Sequence, residues 1–230
     1  MAVFPTDVIT DILGMLPVKA LIRFRFVSKS WDSLIKDSNF AKLHLHSTFK
    51  INNDVKLILD SDTADDDDKA YSVDFDSLAN LEQLPRPLKT GGGEFTSRIF
   101  GSCNGLLAVY HEGGGVALWN PSTRTCHYLP RLTIEDVVER DHDILGFEYD
   151  VIGDDYKVVQ MKASGKPVMI YSLKTDTWKR IKDCPYQVPY GKRQDGAYLN
   201  GSLHWVGDEK DRYFGGRLVF GLDLGVEEFR

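Results

Sequence analysis

Residues 4–45 read FPTDVITDILGMLPVKALIRFRFVSKSWDSLIKDSNFAKLHL, with apolar residues recurring at steps of three and four. That spacing is typical of one face of an α-helix. Thr6 or Asp7 is placed to cap a first helix, and Pro17 must end it because proline lacks the N–H that a helix needs. A second helix follows, and Ser28 is placed to cap a third. The stretch therefore predicts three short helices and a last helical turn, and no later part of the sequence has this character.

This segment has more large apolar side chains than a three-helix core of about 42 residues can bury. They are Phe4, Val8, Ile9, Ile12, Leu13, Leu16, Leu21, Ile22, Phe24, Val27, Trp31, Leu34, Ile35 and Phe40. Exposed apolar patches usually mark interaction sites. We therefore expect one surface of the helical segment to bind another protein.

The order of residues in the segment also resembles a known motif. The matching positions are Phe4-Pro5-x-Asp7-Val8, Ile12-Leu13-x-x-Leu16-Pro17, Arg23-Phe24-Arg25-x-Val27-Ser28 and Trp31-x-x-Leu34-Ile35. This pattern is similar to the F-box of plant proteins, although Phe4 and Phe26 stand where that family more often has Leu and Cys. The resemblance implies docking on a Skp-type adaptor and, through a cullin, membership of a ubiquitin ligase. The alternative is a small helical core that has no partner.

The apolar surplus and the resemblance together predict an adaptor-binding set. It comprises Phe4, Pro5, Ile9, Ile12, Leu13, Leu16, Pro17, Leu21, Val27 and Trp31. Burying a leucine or isoleucine side chain is worth roughly 1.5–3 kcal/mol. We therefore expect truncation of two of these residues to weaken adaptor binding strongly.

Composition restricts the remaining classes of partner and compartment. The formal net charge of −6 argues against nucleic acid and anionic membranes as partners. No apolar run approaches the roughly 18 residues of a membrane-spanning helix, and no secretory signal is recognisable. Three widely spaced cysteines, an odd number, fit reduced thiols in the cytosol or the nucleus.

After the helical segment the pattern changes to short strands. Residues 55–60 and 70–75 read as the two strands of a hairpin, and the acidic stretch 61–69 lies between them. Its run Asp65-Asp66-Asp67-Asp68 consists of like charges that repel one another, so we interpret it as a solvated loop rather than a metal site. Further along, Asn104-Gly105 and Asn200-Gly201 each stand between apolar segments, which indicates β-hairpins.

The strand pattern repeats. Trp119, Tyr171 and Leu222 occupy corresponding places in successive units and are separated by 52 and 51 positions. A four-stranded unit with a period of about 50 residues is typical of kelch-type propeller blades. Trp119, Trp178 and Trp205 recur at comparable blade positions, so we predict that they belong to the core rather than to a ligand cage.

Several stretches of these units resemble one plant domain. They include Gly101-Ser102-Cys103-Asn104-Gly105, Leu118-Trp119-Asn120-Pro121-Ser122-Thr123 and Leu199-Asn200-Gly201-Ser202-Leu203-His204-Trp205. They look like the F-box-associated domain of plant F-box proteins, nearest to the group that regulates immune-receptor abundance, with pollen S-locus F-box proteins as cousins. We therefore predict an α+β chain with an F-box at 1–47, a linking β unit with the acidic loop at 48–98, and a propeller-like all-β domain at 99–230.

An enzyme is the weaker interpretation of the β part. Neither Gly-x-Ser-x-Gly nor His-Glu-x-x-His occurs in the sequence. His204 lies on a strand and is expected to pack in a blade, whereas His127 is expected to face solvent. Cys103 precedes a hairpin turn without a neighbouring base, which favours a structural thiol. We predict no catalytic residue, no cofactor and no metal.

The resulting expectation is a ligase subunit that holds a protein target in its β domain. Alternatives are a decoy or binding module that occupies the adaptor without delivering a target and, more weakly, a sugar-binding or hydrolytic propeller. The pattern stops inside a third blade at Phe229, whereas propellers close with four to eight blades. We therefore expect the chain to be a shortened version of a longer receptor.

Overall fold

The computed structural model describes residues 5–51, 55–60, 70–85, 97–111, 115–132, 142–189, 195–209 and 216–230. Phe4 and the acidic run 65–68 lie outside this part of the chain. Met1–Arg86 with Asn120–Thr125 form one compact unit, and Pro87–Trp119 with Cys126–Arg230 form the other. The boundaries at 47 and 98 stay a prediction.

Within the described residues, the N-terminal segment forms four helices. They are α1 (Thr6–Gly14), α2 (Val18–Phe24), α3 (Lys29–Lys36) and α4 (Ser38–Ile51). The cap prediction for α1 was wrong: the helix begins at Thr6, directly after Pro5, and no side chain caps it. The prediction for α3 is confirmed, since the Ser28 Oγ accepts a hydrogen bond from the backbone N–H of Trp31 at 3.2 Å.

The expected last turn is a full helix, so three helices was one too few. Helix α4 is 14 residues long, and the Asp37 carboxylate accepts hydrogen bonds from the backbone N–H groups of Asn39 and Phe40 at its start. The His44 Nε2 lies 2.7 Å from the carbonyl oxygen of Leu16, which ties α4 to the end of α1. This tie depends on residues 28 positions apart, which sequence periodicity does not report.

The helical segment has a small core. Leu13, Leu21 and Phe40 are fully buried there. Partly buried apolar residues pack around them, namely Ile9, Leu16, Phe24, Trp31, Leu34 and Ile35. The prediction that such a small unit leaves apolar surface uncovered is confirmed, because the helices also expose large apolar side chains.

The first sheet contains β1 (Lys56–Asp60), β2 (Ala70–Asp74) and β3 (Glu82–Leu84), with β2 in the middle. The predicted hairpin is confirmed, since β1 and β2 pair antiparallel from Lys56 opposite Asp74 to Asp60 opposite Ala70. The ion pair between Lys56 and Asp74 lies across this register. Opposite charges at directly paired positions on one face stabilise an antiparallel strand pair.

Within the described residues, the later strands form three antiparallel sheets, two with the four consecutive strands that the repeat predicted and a third with five. The first blade contains β4 (Ser97–Cys103), β5 (Leu106–His111), β6 (Gly115–Asn120) and β7 (Thr125–Tyr128). The second contains β8 (Asp143–Asp150), β9 (Asp155–Lys162), β10 (Val168–Ser172) and β11 (Thr177–Arg180). The third contains β12 (Tyr186–Gln187), β13 (Ala197–Leu199), β14 (Ser202–Glu209), β15 (Leu218–Asp223) and β16 (Glu228–Phe229). In this third sheet both β12 and β13 pair with β14.

Both Asn-Gly hairpins are confirmed. Asn104 and Gly105 have φ values of 51° and 78°, and Asn200 and Gly201 have 49° and 82°. Two consecutive residues with positive φ match the twist of the flanking strands, which is why Asn-Gly is favoured there. These turns join β4 to β5 in the first blade and β13 to β14 in the third.

A second kind of turn recurs four times within the described blades. Its first residue accepts a hydrogen bond through its side-chain oxygen from a backbone N–H two or three positions later; the four are Asn120, Asp150, Ser172 and Asp223. The residue four positions after each has a positive φ of 58°, 52°, 54° and 58°, respectively Arg124, Asp154, Asp176 and Glu227. Short polar side chains favour such turns by bonding their own backbone. Three of these turns, those beginning at Asn120, Ser172 and Asp223, join the last two strands of successive blades, whereas the turn at Asp150 joins the first two strands of the second blade.

The blade cores lie between neighbouring sheets. One cluster joins the first and second blades around Phe147, Val158 and Tyr171. The other joins the second and third around Trp205 and Phe220. Trp119 and Trp205 are buried, as predicted. Trp178 is only half-buried, and its Nε1–H donates a hydrogen bond to the carbonyl oxygen of Pro130 at 2.7 Å.

Candidate functional site

Helix α1 presents apolar side chains on two faces. Ile9, Leu13 and Leu16 follow one another at steps of four and three and pack into the helical core. Val8, Ile12 and Met15 have the same spacing, displaced by one residue, and are exposed. Residues three and four apart lie on one face of a helix. One face of α1 therefore holds the helices together while the other offers an apolar stripe to a partner.

The connection between α2 and α3 adds to this exposed set. Phe26 is 89% exposed and Val27 is also exposed. The Arg25 Nε donates a hydrogen bond to the Asp32 Oδ1 at 2.8 Å, and the Lys36 Nζ bonds the Asp32 Oδ2 at 2.6 Å. The Lys36 and Arg25 hydrogen bonds lower the pKa of the Asp32 carboxyl. These bonds anchor the connection that carries the two apolar side chains.

We name Val8, Ile12, Met15, Phe26 and Val27 the outer apolar set. Ile12 and Val27 belong to the predicted adaptor-binding residues; Val8, Met15 and Phe26 do not. Phe26 could have been found from the sequence, because it is a large apolar residue directly beside the predicted residue Val27. For Met15, only the orientation of α1 distinguishes an outer position from a core position.

The other predicted adaptor-binding residues are distributed over the helical segment. Pro5 and Pro17 are exposed, Ile9, Leu16 and Trp31 are half-buried, and Phe4 lies outside the described residues. Leu13 and Leu21 are buried in the helical core. The docking role of all the predicted residues stays a prediction.

In the second compact unit, His127 connects two blades. Its side chain is exposed, as predicted, but its Nε2 lies 2.9 Å from the Tyr171 Oη and 3.0 Å from the Asp176 Oδ1. The Tyr171 hydroxyl donates to the same carboxylate at 2.6 Å. Burial is the main cause that raises the pKa of Tyr171, followed by its hydrogen bond to Asp176. The hydrogen bond from the Tyr171 hydroxyl, followed by that from His127, lowers the pKa of Asp176. The cluster therefore links the first blade to the second.

A buried ion network connects the second blade to the third. The Lys157 Nζ lies 2.6 Å from the carbonyl oxygen of Leu224, 2.9 Å from the Asp150 Oδ2 and 3.1 Å from the Glu227 Oε1. Burial opposes the charge of Lys157, but its hydrogen bonds to the two carboxylates outweigh burial and raise its pKa. The ammonium thus uses its three donors within the fold.

Cys103 and His204 both lie in surroundings typical of structural rather than catalytic residues. Burial is the main cause that raises the pKa of Cys103, followed by its hydrogen bond to Glu148, so the thiol is not ionised at neutral pH. The His204 ring packs on Gly221, where an added Cβ would meet ring atoms at 3.1 Å. In the parts of the chain that the structure describes, no three His, Cys, Asp or Glu side chains form a group suited to a metal ion. None of the described helices is both long and apolar enough to cross a membrane.

Comparisons with known proteins match both parts of the chain. The F-box domain family model matches residues 3–43, and the model of the F-box associated beta propeller domain matches residues 63–230. These two matches confirm the resemblances that the sequence motifs indicated.

Curated relatives from Arabidopsis thaliana extend over nearly the whole chain. F-box protein CPR1 is 33% identical over 100% of this chain and 59% of its own length. F-box/kelch-repeat protein At3g23880 is 28% identical over 98% of this chain and 64% of its own length. Protein SUPPRESSOR OF NIM1 1 is 26% identical over 98% of this chain and 62% of its own length. The chain therefore spans about 60% of the length of the relatives it matches.

Proposed function

Because the chain belongs to the F-box proteins that carry an F-box associated beta propeller domain, we propose that it is the substrate receptor of a Skp–cullin–F-box ubiquitin ligase. The observation that carries this proposal is the exposed apolar stripe of Val8, Ile12 and Met15, displaced by one residue from the side chains that pack into the helical core. Burying such side chains against a partner is the main source of association free energy. The stripe and the 26–27 connection are therefore the docking surface for a Skp-type adaptor.

The β domain then holds a protein target. Its blades have well-packed cores and stiff turns, which keep a binding surface pre-organised. The chain itself breaks no bond; it raises the local concentration of the target near the conjugating enzyme that the cullin brings. Cys103, Cys126 and Cys184 form no disulfide with one another, which supports a reducing compartment, the cytosol or the nucleus.

Adaptor binding tests the first half of the proposal. Ile12→Ser combined with Phe26→Ser should weaken the affinity for a purified Skp-type adaptor by about a hundredfold or more. Burying each of these side chains against the adaptor is worth roughly 1.5–3 kcal/mol of binding free energy. Isothermal titration calorimetry measures the change. Val219→Ser, which removes an exposed apolar side chain from β15, is the matched control and should leave the affinity unchanged. Wild-type affinity in the double variant would overturn the docking surface.

Ubiquitination tests the second half. Cells that express the wild-type chain should contain proteins whose ubiquitination rises relative to cells with the Ile12→Ser, Phe26→Ser variant. Quantitative mass spectrometry of ubiquitin remnants under proteasome inhibition measures this set. An adaptor-bound chain that raises the ubiquitination of no protein would instead be a decoy.

A further inference from the structure

A groove opens on the second blade beside a turn of the third. It encloses about 320 Å³ and is lined by Lys157, Ser172, Thr175, Thr177, Lys179 and Glu227, among others. Binding pockets of proteins start at about this size. The groove lies where the four-residue turns 151–154, 173–176 and 224–227 come together, so stiff backbone surrounds it.

The acidic groups of the groove are already bonded within the fold. Asp155 accepts hydrogen bonds from the Ser172 hydroxyl and from the backbone N–H of Lys174, the latter at 2.8 Å. Glu227 accepts from Lys157 at 3.1 Å and from Lys179 at 2.7 Å. Lys157 uses its three donors, as described above. Neither carboxylate therefore needs a cation from a ligand.

Two ammonium groups at the mouth retain donors. Lys179 is 70% exposed and bonds Glu227, and Lys174 is exposed with a 3.4 Å contact to the carbonyl oxygen of Gly153. An ammonium has three donors, so both can bind further acceptors. Thr175 and Thr177 share one hydrogen bond of 2.8 Å, which leaves one hydroxyl proton unused. This surplus of donors favours an anionic group as the occupant.

An apolar rim continues directly from the groove. Ile152, which is 85% exposed, precedes the groove residue Gly153, and the exposed Val226 precedes Glu227. A Cβ added to Gly225 would lie 2.9 Å from the Ile152 Cδ1, so the turns of the two blades touch at this rim. Exposed aliphatic side chains beside a polar groove are typical of protein-binding surfaces.

We propose that this groove and its rim, here named the turn groove, bind an extended segment of the target protein that carries an acidic side chain next to an aliphatic one. The carboxylate pairs with Lys174 and Lys179, and the aliphatic side chain packs on Ile152 and Val226. The inference rests on the proposed function, because it assigns the place where the β domain holds its target. The stiff turns lower the conformational entropy lost on binding.

Peptide selection tests the turn groove. A displayed library of random peptides is selected on the full chain alone, and one enriched peptide is synthesised with a fluorescent label. We expect enriched sequences to combine Asp or Glu with Leu, Ile or Val. Replacing the peptide's acidic residue by Gln should weaken binding by about tenfold, and rising salt should weaken the parent peptide more than the Gln peptide.

Variants of the chain locate the binding. Peptide binding should be weakened about tenfold by the double variant Lys174→Gln, Lys179→Gln and, separately, about tenfold by Ile152→Ser. Arg180→Gln and Val219→Ser are the matched controls, with side chains 66% and 68% exposed outside the groove, and should change nothing. All four are surface changes, so equal melting temperatures show that each variant is folded.

Other outcomes overturn the proposal. They are the absence of enriched peptides, enrichment of basic peptides, equal losses in the control variants, and a concentration-dependent dimer that Ile152→Ser abolishes. Adaptor affinity is measured on the same samples. Peptide binding without adaptor binding would refute the ligase role but keep the turn groove, whereas adaptor binding without peptide binding would refute the turn groove alone.

Discussion

The helical segment and the blades place their apolar side chains differently. Among the described residues, α1 to α4 fully bury Leu13, Leu21 and Phe40, and expose the outer apolar set around them. The core between the second and third blades instead buries residues from both sheets, such as Ile144 of the second blade and Trp205 and Phe220 of the third, whose rings lie 5.8 Å apart. The difference teaches that the blades use apolar surface mainly for their own stability, whereas the helices keep much of it for a partner.

The largest effect on stability should come from the blade core. Trp205→Ala removes a buried ring that fits against Gly146 and Gly196 and donates to the carbonyl oxygen of Leu145 at 3.2 Å. We expect a loss of up to about 5 kcal/mol in the free energy of unfolding, because a cavity remains. Urea denaturation followed by tryptophan fluorescence and circular dichroism measures it. Trp178→Ala, at a half-buried position, is the control and should cost clearly less; equal losses would contradict the comparison.

The ion network between the second and third blades should come next. Lys157→Met leaves Asp150 and Glu227 without their shared ammonium, and breaking a buried ion pair from one side costs about 3 kcal/mol. Lys179→Met, which removes an exposed partner of the same Glu227, should cost no more than about 1 kcal/mol. Denaturation of the two variants side by side measures the difference. A loss for Lys179→Met as large as that for Lys157→Met would contradict a buried network.

The same network predicts a pH dependence. Burial opposes the charge of both carboxylates, yet hydrogen bonds, including those from Lys157, keep the pKa of Asp150 and of Glu227 below their ordinary values of 3.8 and 4.5. Their contribution to stability is therefore complete above those values and is lost as the pH falls through the lowered pKa values. The deficit of Lys157→Met relative to wild type should narrow as the pH falls below about 4. A deficit independent of pH would contradict this origin.

A smaller effect should appear at the start of α3. Ser28→Ala removes the side-chain bond to the backbone N–H of Trp31 and should lower the free energy of unfolding of the helical segment by about 1 kcal/mol. Thermal melting at 222 nm measures the change. Ser28→Asp, which keeps a capping oxygen, should restore most of the stability. If it melted as early as Ser28→Ala, the cap would not be the cause.

The smallest effect on stability is expected for the outer apolar set. Ile12 is 50% exposed, so Ile12→Ser should change the free energy of unfolding by no more than about 0.5 kcal/mol. Leu13→Ala, one residue along the same helix, should cost about 2 kcal/mol or more because that side chain is buried. Denaturation of both variants compares the two faces of α1. Similar losses would mean that the outer stripe serves the fold rather than a partner.

The candidate site was only partly predictable from the sequence. The surplus of apolar residues and the motif pointed to docking by the helical segment, but not to the division of α1 into an inner and an outer face. Leu13 was assigned to the docking set although it is buried, and Phe26 was left out although it is 89% exposed. Both are large and apolar, so periodicity alone does not tell which one turns inward.

What the sequence determined by itself were features that depend on neighbouring residues. The Asn-Gly turns, the cap at Ser28 and the strand repeat follow from local backbone preferences, which act over two to four positions. Tertiary structure alone decided the contacts between distant residues. The bond of His44 to Leu16, the bond of His127 to Asp176 and the ion pair of Lys157 with Glu227 join residues that are 28, 49 and 70 positions apart. Such contacts form only when packed sheets and helices bring those side chains together, and the turn groove arises from the same packing.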